Sequence, residues 1–207
     1  MNTEYIDNVY AYACRRVPGA CISFHGALQY YALQTQQFNV IHLHADKPFR
    51  TFEHNGVRYE YHPLRFIYKK NIDKDLEGNK ISVTSLPQTI VDCLYNIELA
   101  GGLEEVLYAL NVLMLSPQME KEMLACLNAY NNASLWSRAG YLLSLFQNSN
   151  RISDKFINIC RMNGLKVKNK LTSKTEELVY NNIWKMYVPR NVKKLISKGA
   201  PYGEIVF

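Results

Sequence analysis

His42-x-His44 places two imidazoles two residues apart, so on an extended segment both rings leave the same side of the chain. Such a pair ligates a transition metal when a carboxylate joins it. Glu60 and His62 lie on a nearby hairpin, but no third ligand follows at motif spacing and a polar sheet face accounts for the same residues. The sequence therefore assigns no metal and no cofactor. Ser23 and His25 are near neighbours without the G-x-S-x-G elbow of a nucleophilic serine, and Ser23 is better used as a helix cap. None of the 10 glycines builds a GxGxxG or GxxxxGK[ST] phosphate loop. Asp73, Asp75 and Glu77, the carboxylates open to a two-metal nuclease, fall in a hairpin turn where a solvated loop is expected. The chain reads as non-enzymatic.

What remains is positive charge. Up to Asn148 there are 12 Lys and Arg against 14 Asp and Glu; from Ser149 onward there are 12 against 4, so a net −2 is followed by a net +8. An excess gathered in one segment suits a polyanion. Arg161, Lys166, Lys168, Lys170, Arg190, Lys193 and Lys194 are the expected nucleic-acid contacts. Lys166, Lys168 and Lys170 alternate and would share one face of a strand. Contacts of this kind bind phosphate and carry no base reading. Arg138 differs, because it interrupts an apolar helix and is expected to pair with a carboxylate such as Asp92.

The elements that must hold these residues follow from periodicity. A helix is expected over Thr3–Arg16, stopped by Pro18-Gly19, followed by a short strand and a helix capped by Ser23. Phe38–Ala45 alternates as a strand, with Ile41 and Leu43 opposite His42 and His44. Asn55-Gly56 joins two alternating runs as a hairpin, with Val57, Tyr59 and Tyr61 inward, and a second hairpin turns through Asp73–Lys80. From Ser85 the pattern is helical. Pro87 lies in a first turn, Ile90, Val91, Leu94 and Tyr95 form a buried stripe, and Gly101-Gly102 is a break. Helices follow over 103–113, from Ser116-Pro117 to Tyr130, and over 134–146 with Leu135, Ala139, Leu142, Leu143 and Phe146 inward. A short helix ending at Gly164, a helix from Thr175, a strand over 183–189 and a basic turn at Arg190–Lys194 complete the chain. This is an α+β protein: a mostly antiparallel sheet with flanking helices and a helical subdomain (residues 1–148), then a small basic C-terminal region (149–207).

At 48% hydrophobic and 20% charged residues, the composition excludes a disordered chain, and no apolar run nears the roughly 20 residues that cross a bilayer. Five scattered cysteines without a CxxC pair, and an N-terminus without a basic, apolar leader, point to reduced thiols in the cytoplasm.

Three stretches add up to a family pattern. "VPGACISFHGALQYYAL" carries Ser23, Ala27, Leu28 and Leu33. "ISVTSLPQTIVDCLY" carries Val83, Ser85, Gln88, Thr89, Ile90 and Asp92, and "RAGYLLSLF" carries Arg138, Gly140, Tyr141, Leu142 and Leu143. In this order and spacing they resemble the AbiEi-type antitoxins of bacterial toxin–antitoxin systems, and "NNIWKMYVP" resembles the family's closing strand. The resemblance implies a regulator that binds DNA at its own operon and counters a nucleotidyltransferase toxin, with the motif residues in structural roles. Many members carry an N-terminal winged helix, whereas Val17 is reached here after one helix. The chain is accordingly expected to match the family's second domain and to bind DNA weakly and without sequence preference. The alternatives are a stand-alone nucleic-acid-binding adaptor and, less favoured, a metal-dependent nuclease.

Overall fold

Asn8 accepts hydrogen bonds at Oδ1 from the N–H groups of Tyr10 (3.0 Å) and Ala11 (3.1 Å), and this cap starts α1 (Val9–Arg16). The computed structural model describes residues 8–63, 65–66, 69–149, 152–172 and 177–198; the first turn expected for this helix lies outside them. Pro18-Gly19 ends α1, with Gly19 at φ +76°, and leads into β1 (Cys21–Ser23) and α2 (Phe24–Tyr30). Ser23 stands at the N-cap of α2, yet its hydroxyl donates to the His42 carbonyl at 3.3 Å and caps nothing. It is still a strand residue there, paired with His42.

The strands β2 (Val40–His44), β3 (Phe52–His54), β4 (Val57–Tyr61), β5 (Lys70–Lys74) and β6 (Lys80–Thr84) join β1 in one sheet of order β3-β4-β2-β1-β6-β5. Both expected hairpins form, β3–β4 through Asn55-Gly56 and β5–β6 around an Asp75 that accepts from the N–H groups of Glu77 and Asn79. Antiparallel pairings are the majority, but β1 runs parallel to β6 and β2 parallel to β4, so the sheet is mixed. Register places Ile22, Ile41, Leu43, Tyr59 and Val83 on one face, where they pack with Ala11, Ala13 and Val17. Ser23, His42 and Glu60 fall on the other.

Next come α3 (Leu86–Tyr95), α4 (Leu103–Val112), α5 (Pro117–Tyr130), α6 (Ala133–Ser144) and α7 (Asp154–Asn163). Every residue of α3 from Pro87 to Leu94 is buried, whereas Tyr95, expected in the buried stripe, is 39% exposed at the helix end. Ser85 precedes α3 without a side-chain cap; Ser116 and Ser153 do cap α5 and α7. Glu120 of α5 also accepts from the N–H and the hydroxyl of Ser153, both at 2.6 Å, fixing α7 to α5.

Arg138 and Asp92 are not partners. Tyr130 Oη donates to Asp92 Oδ1 at 2.6 Å, while Arg138 Nη1 donates to the carbonyls of Leu94 (2.8 Å) and Tyr95 (2.7 Å). A cation set on the last carbonyls of a helix is favoured by the orphan C=O groups and by the helix dipole, so no carboxylate is needed.

Residues 178–181, expected within a helix from Thr175, form instead a strand, β8 (Leu178–Asn181), and residues 173–176 lie outside the described residues. With β7 (Asn169–Lys170) and β9 (Met186–Pro189) it makes a sheet of order β7-β9-β8, followed by α8 (Val192–Lys198). This sheet docks on α6. A Cβ on Gly140 would lie 2.1 Å from the Trp184 ring, so only glycine lets the indole approach α6 this closely. Leu165 N–H donates to Ser137 Oγ at 2.7 Å beside it. One apolar cluster contains residues on both sides of position 148, from Leu28 and α3 to Trp184, Met186 and Val188. Among the described residues, no helix is long and apolar enough to cross a membrane.

Burial pushes the Asp92 carboxyl up to about 8, against hydrogen bonds from Tyr130 and Gln88. An unfolded Asp titrates near ~3.9. Its contribution to stability is therefore complete below pH ~4, declines as pH rises toward 8 by at most about 1.4 kcal/mol per pH unit, and is flat above. In urea unfolding between pH 5 and 8, the stability of Asp92→Asn relative to wild type should grow steadily in the mutant's favour. A difference that stays constant over that range would show that Asp92 is ionised in the fold.

Candidate functional site

Of the expected nucleic-acid contacts, Lys170 lies beside β9 and Arg190 directly follows it, while Arg161, Lys166, Lys193 and Lys194 lie outside the small sheet. Lys170 pairs in register with Tyr187, and Tyr187 with Tyr180, so these three side chains share the outer face of the small sheet. Lys168 extends that face, its Nζ 5.4 Å from the centre of the Tyr180 ring, while Lys166 lies in a bend outside any strand. The lysine alternation thus holds for Lys168 and Lys170 only. Tyr180 and Tyr187 stand 5.1 Å apart, and Tyr180 is 37% exposed. Both were invisible as site residues because Tyr180 reads as helical. At the far end of β9, some 10 Å of strand away, Arg190 pairs with Glu177 at 3.0 Å. Together with Asn191 and Lys194 this pair lines a hollow of about 410 Å³. Lys193 is exposed on α8, and Arg161 is exposed at the end of α7, donating to Asn158.

The family-motif residues are interior. Ser23, Ala27, Leu28 and Asp92 are fully buried, Ser85 and Tyr141 nearly so, and Arg138 is half-buried at the end of α3. Asp73, Asp75 and Glu77 do not converge on a catalytic centre. Asp73 accepts from Tyr30 Oη and the Lys74 N–H, and Asp75 organises the β5–β6 turn.

The sheet brings His42 together with Glu60 and His62 and leaves His44, the other half of the expected pair, apart. Because β2 runs parallel to β4, His42 sits directly opposite Glu60, and His62 follows on the same face. His62 Nε2 is 3.4 Å and His42 Nε2 3.9 Å from Glu60 Oε2, and Arg58 Nε holds the other carboxylate oxygen at 2.9 Å. His44 stands opposite Cys21 and outside this trio. Burial, aided by His62, pushes the His42 imidazole down to about 4 against the pull of Glu60, so the ring is neutral at neutral pH.

Beside the trio is a cavity of about 280 Å³, walled by His25, Phe38, Val40, Glu98, Leu99 and Gly101 as well as His42 and Glu60. His25 is 1% exposed and stands 3.6 Å from Glu105, a buried carboxylate that accepts from the N–H (2.9 Å) and hydroxyl of Thr35. Burial lowers the His25 pKa, with Glu105 opposing. Neither Phe38 nor Glu105 carried a signal in the sequence, whereas the Gly101-Gly102 pair did and was read as a helix break alone.

Comparison of the whole chain with protein-family profiles and with curated proteins finds no match.

A Cβ on Gly101, at φ +92°, would meet Phe38 at 2.8 Å and both His25 and Glu105 at 3.0 Å; one on Gly102, at φ +105°, would meet nothing within 4 Å. Both alanine variants bear the cost of a left-handed backbone, and only the first also overfills the wall of the cavity. Gly101→Ala should be less stable than Gly102→Ala by about 1–3 kcal/mol in denaturant unfolding. Equal losses would mean that this wall yields freely.

Proposed function

We propose that the protein is a non-catalytic antitoxin and regulator of the AbiEi kind, acting against a nucleotidyltransferase toxin and meeting DNA through its basic C-terminal face. The reading rests on the three motif stretches. The observation that carries it is that they form one packing unit: Leu28 of the first, Ile90 of the second and Leu142 and Leu143 of the third lie in the same apolar cluster. Arg138 of the third stretch ties off the helix built by the second. A pattern whose members pack together over 115 residues of separation, from Leu28 to Leu143, is what a retained domain core requires. Co-expression should relieve the growth arrest caused by a nucleotidyltransferase from the same operon. Persisting arrest, with the protein soluble and folded, would refute the antitoxin role.

One observation favours the adaptor reading as a second possibility, namely Lys168 and Lys170 beside Tyr180 and Tyr187 on one sheet face. Lysines meet phosphates, and aromatic faces stack on unpaired bases without reading their edges. For duplex DNA the logarithm of affinity should fall by about 0.9 per phosphate neutralised for each tenfold rise in salt, and Lys168→Ala/Lys170→Ala should lower that slope by about 1.8. Superimposable salt curves for the two proteins would assign the lysines to protein contact.

A further inference from the structure

We propose that His42, Glu60 and His62 bind one divalent transition-metal ion of the zinc class, with an open coordination position facing the neighbouring cavity. The site is independent of the antitoxin reading and adds to it. Metal–ligand bonds of about 2.0–2.2 Å in a tetrahedron set adjacent ligand atoms roughly 3.3–3.6 Å apart. The His62–Glu60 separation of 3.4 Å already meets this and the His42–Glu60 separation of 3.9 Å nearly does, with all three ligand atoms inside 4.8 Å. Two imidazoles and one carboxylate suit zinc, cobalt or iron(II) in preference to magnesium or calcium, which take oxygen ligands.

The surroundings are built as such sites are. Arg58 holds Glu60 Oε1, leaving Oε2 to face the two rings, so Arg58 is a positioning residue. Phe24 meets both imidazoles edge-on, at 6.2 Å and 6.3 Å, and gives them an apolar wall. Its backbone is in the left-handed region at φ +51°, a conformation that costs a non-glycine residue energy and concentrates at functional sites. Across the cavity His25 is fully enclosed; its Nε2 faces Glu105 at 3.6 Å, and among the described residues its Nδ1 has no hydrogen-bond partner. A buried ring nitrogen left without a partner at a cavity wall is the kind of group that a bound species satisfies. Three protein ligands leave the fourth position to water or a small oxygen anion reaching in from that cavity.

The test uses the full chain stripped with EDTA, titrated with zinc chloride by calorimetry and with cobalt(II) by visible absorption. One zinc per chain is expected, with cobalt d–d bands and no thiolate-to-cobalt charge-transfer band in the near ultraviolet. Arg58→Leu should weaken zinc about 10–100-fold, Glu60→Gln at least as much, and His42→Ala/His62→Ala should abolish binding, while His44→Ala leaves it unchanged. Circular dichroism of each apo variant checks folding, and Glu60→Gln, which keeps the side-chain shape, decides the matter if the double histidine variant does not fold. No saturable binding by wild type, full binding by folded Glu60→Gln, or a thiolate band that places the metal on the cysteines would each overturn the site.

Discussion

The fold is organised around a helix with no side left for water. Pro87 to Leu94 of α3 are all buried, and the helix nonetheless carries Gln88, Thr89 and Asp92. A buried polar group without a partner costs about 1–3 kcal/mol, so each of these residues dictates where another part of the chain must go. Thr89 bonds back to Thr84 and Ser85 at the end of β6. Gln88 accepts from Lys69 N–H and donates to the Phe66 carbonyl, pinning the segment between β4 and β5. Asp92 accepts from the Tyr130 hydroxyl of α5, and the terminal carbonyls of Leu94 and Tyr95 accept from the Arg138 guanidinium of α6. Sheet, connecting loop and two helices are thus located by one short segment.

This explains why the motif stretches read as structural. Their polar members are groups whose hydrogen bonds fix topology, although Ser85 Oγ, Asp92 Oδ2 and Arg138 Nε are buried without a partner among the described residues. The loop after α3 carries the consequence outward. Glu98 and Gly101 wall the histidine cavity, and the same two residues also line a hollow of about 270 Å³ reached by Pro189 and Leu195. The histidine-bearing sheet and the C-terminal region therefore share a wall built by this loop.

Much of the architecture was legible because it is written locally. Asn55-Gly56, Pro87, Ser116-Pro117 and the Gly101-Gly102 break each act through their own backbone preferences. What alternation cannot state is which strand lies beside which. It assigned His42 and Glu60 to outward faces, but their meeting depends on β4, not β3, lying parallel to β2. Arg138 shows the same limit in another form. Its need for a partner was readable, whereas the carbonyls at the end of a helix leave no mark in the side-chain sequence. The run Leu178–Asn181 is too short for its period to separate helix from strand, and its true state came from pairing with β9.

The contact between Gly140 and Trp184 has a bearing on the order in which the molecule is made. The groove over Gly140 is shaped for an indole that lies 44 positions further along the chain (184 − 140). While the ribosome is still adding those residues, α6 is already in the nascent chain with an apolar slot and nothing to fill it. Synthesis at about 5–20 residues per second leaves it bare for a matter of seconds. Through that interval the slot over Gly140 stays without its indole, and arrival of the tryptophan closes it.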